Sequence, residues 1–191
     1  MSLNKAVKVL KNKGIIIFPT DTVWGIGASL KCPEAINRLY QIKKRKQTKP
    51  TAVLVGSFSM AEDLGDINNI AKKLIAKFWP GGLTIVVKAK KVVPKFIQGD
   101  KQTIGLRMPN HKLLLKIINK LDGGIVAASA NFSGYPAVSR KEMLDSRLKS
   151  VVDYVLDGED GNSLPSTVID TTKSPPTILR KGVFSSQKLL L

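Results

Sequence analysis

The chain has 191 residues, 43% of them hydrophobic, which is enough for one domain with a buried core. Its single cysteine excludes an internal disulfide. No apolar stretch nears the roughly 20 residues of a membrane span, and no signal-peptide centre is present, so we expect a cytoplasmic protein without membrane association. Lysine and arginine outnumber aspartate and glutamate by 31 to 14. The resulting charge of +17 attracts polyanions, RNA first and acidic lipid second, unless it only reflects codon preference.

Short apolar runs alternate with amphipathic segments, which predicts strands separated by helices. Helices are predicted over 3–10, from Pro33 to about residue 40, over 70–78 and over 114–121. Strands are predicted over 15–18, 52–55, 83–88, 104–108, 125–128, 154–156, 167–169 and 177–179. The last three strands follow one another without helices, so we expect a mixed sheet in a single α/β domain. Residues 158–165 have loop composition, and 185–191 is predicted to be a loose tail.

A polar segment follows the first predicted strand. It contains Thr20, Asp21 and Thr22, and then Gly25 and Gly27. The third glycine of a dinucleotide-binding fingerprint is missing, so as structure alone the segment is a strand-to-loop turn. Ligands of α/β sheets bind at the carboxyl ends of strands, which favours a functional interpretation.

Five of the seven residues from 43 to 49 are basic. A nuclear-import signal, an RNA-binding patch or a solvated helix end would each give this composition. Lys43 continues the apolar stripe of the second predicted helix, so its side chain should follow the buried face. Arg45 lies about 200° further round an ideal helix, so both can reach one site only if the chain leaves the helix there. Such a pair suits phosphate groups.

Arg107 lies inside a short apolar strand, where an unpaired charge would be costly. It either pairs with an internal carboxylate or binds an anionic ligand, and the sequence leaves both open. Ser129 and Asn131 follow another strand. A serine nucleophile would need a base, and the single histidine, His111, stands at a predicted helix start and is better explained as a cap. Recognition of a polar ligand by Ser129 and Asn131 is therefore favoured.

Some motifs are missing from the sequence. It has no phosphate-binding loop of the G-x-x-x-x-G-K-[ST] type, no paired Cys/His set for zinc and no H-E-x-x-H. A nucleotide would therefore be held by scattered Lys, Arg, Ser and Asn side chains. We expect no protein metal site, and any Mg²⁺ would arrive on the nucleotide phosphates.

Seven segments, in this order, resemble the YrdC-like threonylcarbamoyl-adenylate synthase family. They are PTDTVWGIG (19–27), the K-x-R of Lys43 and Arg45, WPGGLT (79–84), TIGLRMP (103–109), SANFSG (129–134), STVID (166–170) and ILRKG (178–182). The similarity extends over residues 15–182. It implies a twisted mixed parallel/antiparallel sheet with flanking helices and a basic concave cavity. We expect residues 1–184 to form this catalytic domain and 185–191 to be the tail.

The resemblance implies an enzyme that joins L-threonine, bicarbonate and ATP to give threonylcarbamoyl-AMP and pyrophosphate. ATP is then a substrate that carries its own Mg²⁺. A downstream threonylcarbamoyl-transferase complex would pass the carbamoyl group to tRNA. One alternative is a non-catalytic module that binds tRNA or double-stranded RNA. Another is a carbamoyl-adenylate-handling domain of the kind found in larger carbamoyltransferases.

The resemblance also assigns residues to roles. The catalytic, nucleotide-handling residues are Lys43, Arg45, Ser129 and Asn131. ATP would be bound by Arg45, Lys49, Thr103, Asn131, Ser139 and Arg180. Threonine would be bound by Thr20, Arg107, Ser129 and Ser166, with Arg107 on its carboxylate. Trp24 replaces the family's usual tyrosine or phenylalanine, and Leu54 stands where some longer members have a histidine.

Overall fold

The fold is built around one mixed sheet. The structure, a computed structural model, describes residues 2–44, 51–99, 101–121, 123–161 and 164–189. Within these residues nine strands form a continuous order, β10-β9-β5-β6-β3-β7-β2-β1-β8, and β4 pairs with β5. The pairs β1–β8, β3–β6 and β5–β9 are parallel and the others antiparallel, which confirms the predicted mixed sheet. The strands are β1 Ile15–Phe18, β2 Gly25–Ser29, β3 Ala52–Leu54, β4 Gly65–Asp66, β5 Leu83–Ala89, β6 Thr103–Arg107, β7 Ile125–Ser129, β8 Tyr154–Val155, β9 Thr167–Asp170 and β10 Thr177–Arg180.

Helices flank both faces of the sheet. They are α1 Ser2–Lys11, α2 Pro33–Ile42, α3 Phe58–Leu64, α4 Asn69–Phe78, α5 Lys112–Lys120, α6 Ser146–Ser150 and α7 Ser186–Leu189. Among the described parts of the chain, no helix is both long enough and apolar enough to cross a bilayer.

The two faces of the sheet are covered differently. Apolar residues of one face pack with α2 and α4 into the larger core, and α1 and α5 pack on the other face only over β1, β3 and β7. Along β5, Leu83, Ile85 and Val87 point into the larger core, whereas Thr84 and Val86 point to the opposite side. Because α1 and α5 stop short of β5, β6 and β9, this half of the second face is left open as a cavity.

The start of α5 confirms one prediction about the single histidine. His111 is the N-cap, and its Nδ1 accepts a hydrogen bond from Leu114 N at 3.2 Å. Partial burial lowers the pKa of His111 from its usual value, and the charges of Asp21 and Glu159 act in the opposite direction. The neutral form that the cap requires is therefore favoured.

The segment after the first strand differs from its prediction as a loop. Residues Gly25–Ser29 form β2, which pairs with both β1 and β7. A Cβ atom on Gly25 would lie 2.5 Å from the Phe18 ring, and one on Gly27 would lie 2.7 Å from Val126 O. The two glycines thus allow a central strand to pack closely, which propensity alone does not reveal.

The prediction of a loose tail is wrong for Ser186–Leu189. These residues form α7, and Leu189 is only 3% exposed within the larger core. The chain before α7 is held at Phe184, whose N–H donates to Thr167 Oγ1 at 2.9 Å and whose carbonyl oxygen accepts from the same hydroxyl at 3.0 Å. Residues 185–191 contain no glycine or proline, and their composition did not indicate that this part of the chain packs on the core.

Candidate functional site

A cavity of about 330 Å³ occupies the open half of the sheet. This volume lies at the lower end of the range for small-molecule sites. Its walls come from the β1–β2 turn, the strands β3, β5, β6, β7 and β9, and the exposed edge strand β10. Six of the residues predicted to bind substrates line it: Thr20, Thr103, Arg107, Ser129, Ser166 and Arg180.

Arg107 is held by three hydrogen bonds beneath the cavity. Its side chain is 7% exposed and pairs through Nη2 with Asp21 Oδ1 at 2.6 Å. Nη1 donates to Thr22 Oγ1 at 2.9 Å, and Nε donates to Gly81 O at 3.0 Å. Burial lowers the pKa of Arg107, and the charge of Asp21 acts against this shift. The sequence left open whether Arg107 pairs with an internal carboxylate or binds an anionic ligand. The structure shows the pair with Asp21, and Arg107 also lines the cavity.

A directed chain of hydroxyls extends from Arg107 to Thr20. The Thr20 hydroxyl donates its proton to Val23 O at 2.7 Å, so Thr22 must donate in the 3.0 Å bond between the two hydroxyls. Thr22 N also donates to Thr20 Oγ1 at 3.1 Å. A hydroxyl has one proton and two acceptor sites, and all three of Thr20 are now used within the protein. Thr20 therefore fixes the shape of the turn at the cavity wall.

Lys43 contacts two of the other predicted catalytic residues, Ser129 and Asn131, on one side of the cavity. The side chain follows the buried face of α2, as predicted, and the residue is only 4% exposed. Nζ donates to Ser129 O at 2.5 Å, to Asn131 Oδ1 at 2.9 Å and to Asn131 O. Ser129 Oγ donates to the same Asn131 Oδ1 at 2.6 Å. Lys43, Ser129 and Asn131 thus form one cluster, of which Ser129 faces the cavity.

The chain leaves the second helix where the prediction requires. Helix α2 ends at Ile42, Lys43 is its C-cap, and Lys44 has a positive φ of 47°. Arg45 and Lys49 themselves lie outside the described residues.

Arg180 and Ser166 meet on the opposite side of the cavity. Arg180 Nη2 donates to Ser166 Oγ at 2.8 Å and to Ser166 O at 2.8 Å. Ser166 Oγ also shares a 2.8 Å hydrogen bond with Thr84 Oγ1, a buried hydroxyl that sequence reasoning missed. Along β5, Thr84 lies between the core residues Leu83 and Ile85. This alternation could have indicated that its side chain points away from the core, toward the cavity. Ser139 is not part of the cavity wall, and its carbonyl oxygen accepts from Gly161 N at 3.3 Å.

Comparison with known proteins identifies the family. The model of the Sua5/YciO/YrdC family, described as "Telomere recombination", matches residues 8–182. The threonylcarbamoyl-AMP synthase of Pyrococcus abyssi is 35% identical over 93% of this chain. A putative threonylcarbamoyl-AMP synthase of Methanocaldococcus jannaschii is also 35% identical, over 95% of this chain and 86% of its own length. In both cases the similarity covers nearly all of the residues discussed above.

A solved structure agrees with this result. The crystal structure of P. abyssi Sua5 complexed with L-threonine superposes with a TM-score of 0.93 at 33% identity and covers 98% of this chain. This chain spans about half of the length of the P. abyssi protein, 53% of the sequence and 56% of the crystallised chain. The fold, the ordered motifs and these similarities lead to one conclusion: the chain belongs to the Sua5/YciO/YrdC family.

Proposed function

We propose that this chain is an L-threonylcarbamoyladenylate synthase, which forms threonylcarbamoyl-AMP and pyrophosphate from L-threonine, bicarbonate and ATP. The observation that carries the proposal is the buried Arg107 in a cavity that also presents Ser129 and Arg180. Relatives named as threonylcarbamoyl-AMP synthases, and a neighbour solved with L-threonine, support it. The catalytic domain would include the whole described chain, with α7 as part of its core.

Arg107 would bind the carboxylate of L-threonine. Its three hydrogen bonds to the protein use the Nε–H and one N–H on each terminal nitrogen. A guanidinium has five N–H groups, so one N–H on each terminal nitrogen is left for the two oxygens of a ligand. Asp21 then fixes the orientation of the arginine before the ligand arrives. Ser129 and Ser166 would contact the amino acid from the two sides, and Thr20 would shape the turn beside it.

The nucleotide would be held by the cluster at Lys43 and by the opposite rim. Lys43, Arg45, Ser129 and Asn131 would handle the reacting phosphates, while Lys49, Thr103, Ser139 and Arg180 would contact the rest of ATP. Attack on the α-phosphorus needs alignment and positive charge more than a protein nucleophile. Mg²⁺ would arrive on the phosphates.

The direct test is pyrophosphate release from ATP in bicarbonate buffer by the purified chain, with and without L-threonine. We expect release that requires threonine, and Arg45→Ala should reduce turnover far more than it reduces stability. Release that ignores threonine would contradict the proposal and point to a different acceptor. An inactive protein that binds tRNA in a salt-sensitive way would replace it with the RNA-binding module.

We further propose that the enzyme works in the cytoplasm and that a threonylcarbamoyl-transferase complex receives its product for tRNA modification. The adenylate is a reactive anhydride, so direct transfer to such a partner would protect it from water. Addition of that complex and tRNA to the assay should yield modified tRNA. Failure of the transfer with active synthase would contradict this choice of partner.

A further inference from the structure

Thr84 is a polar residue on the cavity face of strand β5. This strand lies between β6, which ends at Arg107, and β9, which Ser166 precedes. Thr84 is only 4% exposed, and it lines the cavity. Its hydroxyl shares a 2.8 Å hydrogen bond with Ser166 Oγ, and among the described residues no other group bonds to this hydroxyl. Thr84 is therefore joined directly to a predicted threonine-binding residue.

Two other buried threonines near β9 use their hydroxyls in a different way. Thr171 Oγ1 donates to Val86 O at 2.9 Å, and Thr167 Oγ1 donates to Phe184 O at 3.0 Å. Both bonds fix the course of the main chain, and neither threonine is part of the cavity wall. The Thr84 hydroxyl instead bonds to a side chain of that wall, so a purely structural role does not explain it equally well.

The methyl group of Thr84 helps to hold the hydroxyl in one direction. A Cβ atom on Gly105 of β6 would lie 3.4 Å from Thr84 Cγ2, so the methyl group reaches toward β6. The hydroxyl reaches Ser166, on the side of β9. Because both groups are attached to the same Cβ atom, one χ1 rotamer sets both positions.

Two protein groups occupy two of the three hydrogen-bonding positions on Ser166 Oγ. A hydroxyl has one proton and two acceptor sites. Arg180 Nη2 donates at 2.8 Å and takes an acceptor site, while Thr84 Oγ1 takes a second position whether it donates or accepts. One position remains, in a direction that the other two bonds determine. Since Ser166 itself lines the cavity, this position is available to a ligand.

We propose that Thr84 is a positioning residue for L-threonine and fixes the direction in which Ser166 Oγ meets this ligand. The inference rests on the proposed function, since that function assigns Ser166 to threonine. Arg180 is exposed and can follow a nucleotide, so the buried Thr84 is the partner that stays with Ser166. Without the Thr84 hydroxyl, the Ser166 side chain gains access to other rotamers. Threonine binding then weakens, while the nucleotide contacts are unchanged.

The kinetic test compares variants of the full chain that keep or remove this hydroxyl. Thr84→Val has nearly the same shape, so we expect the KM for L-threonine to rise about fivefold, with kcat and the KM for ATP within about twofold. Thr84→Ala removes the same hydroxyl and should raise the KM at least as much, so the result does not depend on one variant. Thr84→Ser keeps the hydroxyl and should stay within about twofold of wild type.

Thr171→Val is the matched control, because it also removes a buried threonine hydroxyl close to β5. It should lower the midpoint of urea unfolding and leave the threonine KM unchanged. A second comparison tests whether the effect passes through Ser166. Ser166→Ala should raise the threonine KM, and adding Thr84→Val to it should cause no further rise, because the group that Thr84 positions is already absent.

Three results would overturn the inference. They are an unchanged threonine KM in Thr84→Val and Thr84→Ala, a Thr84→Ser enzyme as weak as Thr84→Val, and a further rise in the double variant with Ser166→Ala. Each of them leaves a wild-type enzyme that still depends on threonine. A wild-type chain that releases no threonine-dependent pyrophosphate would instead overturn the proposed function, and with it the assignment of Ser166 to threonine.

Discussion

Two arginines on the wall of the same cavity are held in different ways. Arg107 is buried, and its partners include an internal carboxylate and the first hydroxyl of a directed chain. Arg180 is exposed on the edge strand β10 and donates to the oxygens of Ser166. A buried arginine is fixed before a ligand arrives, whereas an exposed one can move with its ligand. We infer that Arg107 suits a small rigid carboxylate and Arg180 a larger anion such as a phosphate chain.

The two arginines should differ most in how much the free energy of unfolding falls when each of them is replaced. Arg107→Met removes the charged partner of Asp21, whose side chain is 17% exposed and also accepts from Asn110 N, so we expect a loss of about 3 kcal/mol in the free energy of unfolding. Arg180→Met removes hydrogen bonds between an exposed guanidinium and Ser166, whose hydroxyl keeps its bond to Thr84, and should cost about 1 kcal/mol. Urea unfolding of both variants measures the difference. Equal losses would show that burial does not separate the two arginines.

Lys43 extends the comparison to a buried cation that donates hydrogen bonds to the neutral oxygens of Ser129 and Asn131. Lys43→Met keeps the packing of the stem along α2 but removes the ammonium that holds Ser129 and Asn131. We expect turnover to fall by about 100-fold, with a smaller loss of stability than in Arg107→Met. Pyrophosphate release and urea unfolding are measured on the same preparation. A fully active variant would contradict the predicted catalytic role of Lys43.

Substitutions of Thr20 test whether the hydroxyl chain that extends from Arg107 stabilises the fold. Thr20→Val removes an acceptor from Thr22 and should lower the free energy of unfolding by about 1–2 kcal/mol. Thr20→Ser keeps the hydroxyl and should stay close to wild type. If the side chain instead served threonine alone, Thr20→Val would raise the threonine KM without changing the unfolding midpoint.

The smallest effect concerns pH and the cap beside Asp21. Because the pKa of His111 is lowered in the folded chain, the unfolded chain binds its proton first as the pH falls. The contribution of the cap is present above pH 6.5, the usual pKa, and is lost as the pH falls through the lowered value. We expect a loss of about 1 kcal/mol that disappears in His111→Asn, which caps without titrating. If the free energy of unfolding depends on pH in the same way in the wild type and in His111→Asn, the proposed titration of the cap is contradicted.

The local patterns of the chain were sufficient for several of these features. The alternation of apolar runs and amphipathic segments located most of the helices and strands, because each buries one continuous face. The position of Lys43 on the apolar stripe of α2 correctly placed its side chain on the buried side. The cap role of His111 followed from its place after Pro109-Asn110. These are properties of neighbouring residues, and helix geometry converts them directly into structure.

Other features depend on contacts that a local pattern does not contain. The partner of Arg107 is 86 residues away in sequence, and only the register of the strands brings Asp21 to it. Strand β2 is rich in glycine and was not recognised, because close packing against Phe18 rather than propensity decides its position. Asp160 was assigned only to a loop, because its hydrogen bond to the indole of Trp24 joins residues that lie 136 positions apart in the sequence. The parts of the site that remained hidden are therefore those that rest on long-range pairs.

The most direct measurement is calorimetric titration of L-threonine into the wild-type chain and into Arg107→Lys and Arg180→Lys, each in the presence of a non-hydrolysable ATP analogue. Lysine keeps the charge but loses the paired N–H groups. We expect threonine binding to be lost in Arg107→Lys and retained in Arg180→Lys, where a separate titration of the nucleotide analogue should show the reduced affinity instead. Threonine binding that survives in Arg107→Lys, or fails in Arg180→Lys alone, would contradict the assignment of the two arginines.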